Sequence, residues 1–246
     1  MINDQYTQED HKSREDDFYA LGKYRLTLKA LKQAKLHKEG GSLPVLLNIG
    51  CGGGLFNELA IESGFQVIAC EPDEAAYSLA KEFLHPNLKI YLGDISAIQP
   101  PVMADAIVCH DVLEHIDAEN DALRMISNSM HQDGIFIISV PAIDRLFGYH
   151  DVQLGHFRRY NKTTLKRALH FYFETKSIRY YGFFGIPAAL YYSRIRNIAD
   201  PELMSSEPSL VSRIMKMLIS IEVKIAFPAG TSVLAITRKK ARKFDE

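Results

Sequence analysis

Short apolar runs alternate with amphipathic helical patterns through most of the first 140 residues of this chain. The runs predict buried strands at residues 44–49, 65–70, 88–92, 104–109 and 135–140. Apolar residues that recur at helical spacing predict helices at residues 55–61, 73–84 and 118–130. Because strands that alternate with helices need crossover connections, the pattern predicts a doubly wound, mostly parallel α/β sheet with helices on both faces.

The segments that flank this core follow other patterns. An amphipathic helix is predicted at residues 15–36, and residues 141–159 are predicted to form a long loop rich in His, Asp and Arg. The remaining predicted elements are a short helix at 163–170, a strand at 173–181, an aromatic-rich helix at 186–198, an amphipathic helix at 210–225 and a final strand at 231–238. No internal repeat divides the chain, and we interpret residues 1–246 as a single domain.

Composition excludes several classes of protein. The formal net charge of −1 provides no basic field, so no nucleic-acid partner is expected. The three cysteines form neither a disulfide framework nor a metal knuckle, and they indicate reduced thiols in the cytoplasm. Residues 1–17 are polar and acidic, unlike a signal peptide, and no uncharged run offers the ~20 predominantly apolar residues of a membrane-spanning helix.

A glycine-rich turn, Asn48-Ile-Gly-Cys-Gly-Gly-Gly54, follows the first predicted strand and opens a helix. Glycine there permits positive φ and lets the backbone approach a ligand at the carboxyl ends of the strands. The dinucleotide fingerprint needs its third glycine at the position of Leu55, so the spacing argues against a dinucleotide. A plain tight turn is the alternative interpretation.

Two acids stand at the ends of the next two predicted strands. Glu71 lies 21 residues after Gly50, where a carboxylate can accept hydrogen bonds from both hydroxyls of a ribose. The alternative is a solvated acid at a strand end. Asp94 is placed to accept a hydrogen bond from an adenine amine, and its alternative role is the cap of a turn.

Together with Glu71-Pro-Asp73, Gly93-Asp94 and Asp111-Val-Leu-Glu-His115, the turn resembles the motifs of class I S-adenosylmethionine-dependent methyltransferases. The segment Gly-His-Phe-Arg-Arg-Tyr-Asn at 155–161 is similar to one in a bacterial small-molecule subgroup. The resemblance implies S-adenosyl-L-methionine as cofactor and a Rossmann-like, seven-stranded sheet whose antiparallel last strand inserts beside the fifth. It also implies a set of cofactor-binding residues: Asn48, Gly50, Cys51, Gly52, Glu71, Pro72, Asp94, Ile95 and His110. Asn48 departs from the family, which usually has an acid there to support the methionine amine.

The resemblance also divides the domain into parts with separate roles. These are a lid helix (15–36), a cofactor-binding core (43–140), a substrate and cap region with a helical insertion (141–230) and the last strand (231–239). His115 and His156 are the candidate catalytic bases, since imidazole titrates near neutral pH. Arg158 and Tyr160 are predicted to bind the acceptor. Alternatively, Arg158 or Arg159 pairs with acids such as Asp151 and pins the loop.

A metal is the remaining question at this site. The side chains of Asp111, Glu114 and His115, with His156, offer ligand types that suit Mg²⁺ or Mn²⁺. Many small-molecule methyltransferases carry Leu-Glu-His without a metal, however, and we expect none here.

The predicted reaction is methyl transfer by in-line displacement to an oxygen or nitrogen of a small-molecule or lipid-precursor acceptor. The alternatives are a non-catalytic nucleoside-cofactor binding module on the same fold and a nicotinamide-dependent oxidoreductase.

Residues 180–192 carry no charged side chain and are mostly aromatic and aliphatic, and residues 210–221 place apolar side chains on one helical face. This region is predicted to be either a cap on the sheet or a surface in peripheral contact with a membrane or lipid. The oligomeric state stays open.

Overall fold

A computed structural model describes residues 18–36, 41–98, 101–191 and 210–241. Its strands are β1 (Val45–Ile49), β2 (Gln66–Glu71), β3 (Leu88–Leu92), β4 (Ala104–His110), β5 (Met130–Pro141), β6 (Phe173–Tyr181) and β7 (Ser232–Lys239). Its α-helices are α1 (Phe18–Gln33), α2 (Leu55–Glu62), α3 (Glu74–Ala80), α4 (Glu119–Asn128), α5 (Tyr149–Gln153), α6 (Lys162–Leu169), α7 (Ile186–Tyr191) and α8 (Leu210–Lys224). Short 3₁₀ turns occupy Ile95–Ala97, Leu113–His115 and Asp144–Leu146.

The strands form one seven-stranded sheet in the order β3-β2-β1-β4-β5-β7-β6. The pairs from β3 through β5 are all parallel, and β7 runs antiparallel to both of its neighbours, β5 and β6. The predicted fold is therefore confirmed, including the insertion of the antiparallel last strand beside the fifth.

The apolar runs are buried because the central strands are covered on both faces. Adjacent residues that point to opposite faces, such as Leu46 and Leu47 in β1 or Ile107 and Val108 in β4, are at most 1% exposed. Leu46 and Val108 belong to the layer under α1 and α2, whereas Leu47 and Ile107 belong to the layer on the other face. A parallel sheet with helices on both faces requires this pattern.

The helix predicted at 118–130 ends earlier than its pattern indicated. Met130 already pairs with Ala104 as the first residue of β5, and Ile135 pairs next with Ala106. The residues between Met130 and Ile135 bulge from the ladder, so the expected turn at 133–134 lies inside the strand. Burial of Met130 at 0% exposure explains why it joins the sheet instead of a solvent-facing helix end.

Other boundaries also differ from the predictions. The helix expected at 73–84 is reduced to α3, whose first turn is capped by Asp73 through a 2.8 Å bond from Ala76 N. The segment expected to be a loop, 141–159, contains the 3₁₀ turn at Asp144–Leu146 and helix α5. Of the helix expected at 186–198, the part after Tyr191 lies outside the described residues.

Two further findings concern the described helices and the three cysteines. None of the described helices combines the length and the apolar character that a membrane crossing requires. Cys51, Cys70 and Cys109 are free and buried, as the sequence predicts.

Candidate active site

The glycine-rich turn bends at the carboxyl end of β1, in the middle of the sheet. Gly50, Gly52 and Gly54 have φ values of 66°, 55° and 99°, a region that favours glycine. A Cβ on Gly50 would stand 2.4 Å from Cγ2 of Val112, and one on Gly54 would stand 3.1 Å from Cα of Ala80. The turn is thus more than a tight connection, because two of its glycines also permit close approach of neighbouring segments.

Glu71 closes the turn from the end of β2. Its Oε2 accepts a 2.8 Å hydrogen bond from Gly52 N, and its Oε1 accepts a 3.0 Å bond from Asp73 N. The residue is 7% exposed, so the interpretation as a solvated strand-end acid is wrong. Burial raises the pKa of Glu71 above its ordinary value, against the opposing effect of the two backbone donors. Each carboxylate oxygen retains acceptor capacity for a further donor such as a ribose hydroxyl.

Asn48 stands where the methyltransferases that this chain resembles usually have an acid, and its side chain makes a structural contact. Its side-chain amide donates a 2.7 Å hydrogen bond to Oδ1 of Asn57 on α2. Both residues are buried, and Nδ2 of Asn57 has no hydrogen-bond partner among the described residues. Asn48 therefore links β1 to α2. The sequence analysis did not identify Asn57, although Asn57 lies in the first turn of the helix that follows the glycine-rich segment.

The other predicted cofactor residues line the same edge of the sheet. Asp94 is exposed and caps the 3₁₀ turn after β3, accepting bonds from Ser96 N at 2.8 Å and Ser96 Oγ at 2.6 Å. The capping alternative for Asp94 is therefore confirmed. Pro72 is exposed and Ile95 half-buried, while Cys51 is buried and burial raises the pKa of its thiol to about 12. We call residues 48–54, 71–73 and 93–96, where the sequence predicts that the cofactor binds, the cofactor edge.

His110 ends β4 and lies under helix α1. Its Nε2 and Oγ1 of Thr27 are 2.9 Å apart, and its ring lies 5.0 Å from the ring of Phe56 in an edge-on contact. Burial, and then the positive charge of Lys23, lower the pKa of His110 to about 3. The imidazole is therefore neutral over the physiological range and acts as a packing and hydrogen-bonding group.

Helix α1 makes a second contact with Asp111, the residue that follows His110. Lys23 forms an ion pair and a hydrogen bond with Asp111, which has a φ of 53° and also accepts a 3.1 Å bond from Ser139 Oγ. Although burial alone would raise it, the charge of Lys23 holds the pKa of Asp111 below its ordinary value. The sequence analysis did not single out Lys23 or Thr27, although their spacing of four places them on one face of the predicted helix.

The two predicted catalytic histidines come together although they are far apart in sequence. The ring centroids of His115 and His156 are 4.5 Å apart in an edge-on contact. Nδ1 of His156 lies 2.8 Å from Oδ1 of Asp151, which also accepts a 2.7 Å bond from Nε of Arg159. Burial would raise the pKa of Asp151, but these bonds lower it to about 2. We call residues 141–160, part of which the sequence predicts to bind the acceptor, the acceptor loop.

Glu114 stands behind the histidine pair. Its carboxylate is fully buried, and neither oxygen has a hydrogen-bond partner within the part of the chain that the structure describes. Burial and the nearby charge of Asp111 raise the pKa of Glu114 well above its ordinary value. The backbone carbonyl of Glu114 accepts a 2.8 Å bond from Phe157 N, which joins this turn to the acceptor loop.

The arginines of the acceptor loop already hold acids. Arg159 binds Asp151, and a guanidinium nitrogen of Arg158 lies 3.4 Å from Asp117 and another 3.5 Å from Glu119. The alternative interpretation, that these arginines pin the loop, is confirmed. Tyr160 is 3% exposed and donates its hydroxyl hydrogen bond to Glu119. The role of Arg158 and Tyr160 in acceptor binding stays a prediction, and the side chain of His150 lies outside the described residues.

Comparison with known proteins assigns the chain to a family. The family described as "Methyltransferase domain" matches residues 14–172, which is more than half of the chain. The chain belongs to this family. The match covers α1, the cofactor edge and the acceptor loop, so all the predicted site residues lie inside the methyltransferase domain.

Individual relatives are similar over shorter stretches. The mitochondrial ubiquinone biosynthesis O-methyltransferase of Schizosaccharomyces pombe is 29% identical over 38% of this chain and 36% of its own length. The ubiquinone biosynthesis O-methyltransferase of Rickettsia typhi is 30% identical over 44% of this chain and 46% of its own length. The chain thus spans less than half the length of these two relatives.

A solved structure extends the similarity of fold to nearly the whole chain. Phosphoethanolamine N-methyltransferase 2 of Haemonchus contortus, determined with S-adenosyl-L-methionine, superposes with a TM-score of 0.64. It is 15% identical, and the alignment covers 97% of this chain and 59% of that one. The methyltransferase domain therefore has a common α/β fold with this enzyme.

Proposed function

We propose that this methyltransferase domain transfers the methyl group of S-adenosyl-L-methionine to an oxygen of a small-molecule acceptor. The observation that carries the proposal is the position of Glu71, which is buried, bonded to the glycine-rich turn and able to accept further hydrogen bonds. The fit of the cofactor rests on this carboxylate and on the open space beside Gly52, where a Cβ would meet nothing within 4 Å. Asp94, Ile95 and Pro72 would complete the adenosine side, with Asn48, Cys51, Gly52 and His110 around the rest.

The domain has little covalent chemistry to perform. S-Adenosyl-L-methionine supplies an electrophilic methyl group, so that a C–S bond breaks as a C–O bond forms and the acceptor gives up a proton. The rate then depends on holding the acceptor oxygen in line with the methyl carbon, an alignment worth up to several kcal/mol. The rigid carboxyl ends of β1, β2 and β4, joined by parallel ladders, support this alignment.

The acceptor side is proposed to be the histidine pair. His156 is oriented by Asp151, and His115 stands 4.5 Å away between ring centroids, at the exposed end of the pair. A hydroxyl acceptor needs help in losing its proton, whereas the transfer itself needs no other group. An oxygen acceptor is favoured over nitrogen because the two relatives quoted above carry the name O-methyltransferase.

Calorimetric titration with S-adenosylhomocysteine tests the cofactor assignment. We expect micromolar or tighter binding and no binding of NADH, which would support the oxidoreductase alternative instead. Glu71→Ala removes charge-assisted hydrogen bonds worth about 1.5–3 kcal/mol each, so affinity should fall at least ~10-fold. Glu74→Ala is the matched control, because Glu74 is exposed on the adjacent helix. Equal affinity in the two variants would exclude the ribose role of Glu71.

We further propose that α8 lies on an anionic lipid surface. Its exposed apolar side chains follow one another at helical spacing: Ile214, Met217, Ile221 and the adjoining Ile225 are 38–58% exposed. Exposed Lys216 and Lys224 flank this stripe. Glu222, the acidic residue of α8, is buried, and its carboxylate accepts hydrogen bonds from the backbone N–H groups of residues 182–184. A basic and apolar outer face is typical of a helix that lies in a membrane interface.

Co-sedimentation with vesicles measures this contact. The protein should pellet with vesicles rich in phosphatidylglycerol at low salt, and Lys216→Glu with Lys224→Glu should leave it in the supernatant. The control is the double variant Lys89→Glu with Lys166→Glu, which changes the net charge by the same amount at two positions outside α8. If the wild-type protein remains in the supernatant, or if both double variants are released equally, the lipid contact of α8 is wrong. A cytoplasmic location, which the free cysteines support, is compatible with such reversible contact.

A further inference from the structure

The ion pair between Lys23 and Asp111 lies beside the glycine-rich turn. Asp111 follows β4, which pairs with β1, the strand that ends at the turn. The next residue, Val112, is so close to Gly50 that a Cβ on the glycine would stand 2.4 Å from Cγ2 of the valine. Because β1 lies between β2 and β4, the pair and Glu71 stand on opposite sides of the turn.

Both members of the pair have capacity for further partners. The side chain of Asp111 is 39% exposed, and each of its carboxylate oxygens can accept more than the one bond that it receives from Lys23 or Ser139. An ammonium has three N–H donors, and the bond to Asp111 is the one that Nζ of Lys23 makes among the described residues. An acceptor and a donor that can each take another partner therefore lie next to each other.

The backbone of Asp111 is held in a conformation that side chains seldom adopt. Its φ of 53° lies in the left-handed region, which Asp and Asn tolerate better than most other residues. Two bonds with Ser139 fix the residue, one from Asp111 N to the carbonyl oxygen at 2.9 Å and one from Ser139 Oγ to Oδ1 at 3.1 Å. Strain that the surroundings hold in place is typical of residues that clamp a ligand.

Asp111 differs from the other polar side chains near the turn. Glu71 is bonded to the turn on the β2 side, and Asp94 caps the 3₁₀ turn after β3. Glu114 is 0% exposed, and Asn48 carries no charge. Among these side chains, Asp111 is the one that presents an accessible negative charge on the β4 side of the turn.

We propose that Lys23 and Asp111 bind the amino-acid end of the cofactor, with Asp111 accepting from its α-ammonium and Lys23 donating to its α-carboxylate. This inference rests on the proposed function and deepens it, because it names the groups that recognise the methionine part. An α-amino acid is a zwitterion at neutral pH, so its two charges match those of the ion pair in reverse order. Binding joins two neutral pairs into one set of alternating charges and leaves no buried charge uncompensated.

The pair would make the domain selective for adenosine ligands that carry an amino acid. Neutral Asn48 cannot balance the charge of an ammonium, and Asp111 supplies that charge from the neighbouring strand. Lys23 belongs to α1, so the ligand would also hold this helix against the carboxyl ends of the strands.

Calorimetric titration of the full chain with four probes tests the assignment. The probes are S-adenosylhomocysteine, its deaminated analogue, its decarboxylated analogue and methylthioadenosine, which lacks the whole amino-acid end. Asp111→Asn should weaken binding of S-adenosylhomocysteine at least ~10-fold and of the deaminated analogue less than ~2-fold. Lys23→Met should weaken binding of S-adenosylhomocysteine at least ~10-fold and of the decarboxylated analogue less than ~2-fold. Both variants should bind methylthioadenosine as the wild-type protein does.

Matched variants control for the loss of charge alone. Lys29→Met removes an exposed lysine from the same helix, and Asp121→Asn removes an exposed acid from α4; neither should change the affinity for any probe. Lys23→Arg keeps the positive charge and should keep the preference for ligands with a carboxylate. Thermal melting identifies any variant that fails to fold. The wild-type protein provides a test without substitution, since removal of either charged group from the ligand should weaken binding at least ~10-fold.

The outcomes separate this inference from the proposed function. If Asp111→Asn and Lys23→Met weaken all four probes equally, the ion pair only fastens α1 and the inference is wrong. Equal affinity of the wild-type protein for S-adenosylhomocysteine and methylthioadenosine would overturn the inference and leave the methyltransferase standing. Binding of none of the probes would overturn both.

Discussion

The cofactor edge and the acceptor loop are both built at the carboxyl ends of the strands, but by different means. At the cofactor edge both bonds to the central acid, Glu71, come from backbone groups, Gly52 N and Asp73 N, although Asn48 and Asn57 bond through their side chains. In the acceptor loop, side chains bond to side chains, and some of the partners are distant, as in the bond from Tyr160 to Glu119 across 41 residues. Backbone donors are present whatever the side chains are. The first site therefore depends on glycines and one acid, and the second on matched pairs.

Replacement of one member of such a pair should have the largest effect. His156→Ala removes the group that we propose acts on the acceptor, and general acid–base catalysis contributes typically about 10²–10⁴-fold. We expect turnover of a hydroxyl acceptor to fall by ~10²-fold or more, while the affinity for S-adenosylhomocysteine changes less than ~2-fold. Single-turnover kinetics and calorimetry measure the two quantities. An equal loss of both would mean that the two regions are not separable, and His131→Ala should leave both unchanged.

Replacement of a glycine should act on the other region alone. Gly50→Ala forces a Cβ to 2.4 Å from Val112 at a φ of 66°, so the turn must move. We expect cofactor affinity to fall by ~100-fold, the sum of roughly 1–2 kcal/mol of left-handed strain and a comparable steric cost. Gly52→Ala is the matched variant, because a Cβ there meets nothing within 4 Å. If the two variants lose affinity equally, close packing on Val112 is irrelevant and only φ matters.

Replacement of His110 should affect neither region directly and should change only the pH dependence of stability. Its pKa in the folded chain is about 3, below the ordinary value of 6.5. Between these values the unfolded chain binds a proton that the folded chain does not, so stability is lost as the pH falls through this window and is unaffected above it. From pH 6.5 to 4.5 the free energy of unfolding should fall about 2–3 kcal/mol further in the wild-type protein than in His110→Asn. Denaturant unfolding at several pH values measures this difference, which should vanish above pH 7.5.

The same contrast explains what the sequence predicts. The glycine-rich turn and Glu71 are recognisable because their spacing is local and their partners are backbone atoms. The ion pair between Lys23 and Asp111 joins residues 88 positions apart, and the sequence around either residue does not indicate that the other is its partner. The start of β5 also differs from the prediction, because burial of Met130 against the sheet outweighs the helical pattern that includes it.

The position of β7 has a consequence for the synthesis of the chain. β6 joins the sheet only through β7, and β7 follows it by about 50 residues. At ~5–20 residues per second, a ribosome needs ~3–10 s to make that interval. During this time β5 presents an open, apolar edge, and β6 has no strand to pair with. A newly made chain is thus most exposed to association with its neighbours just before its last strand emerges, whatever the stability of the finished domain.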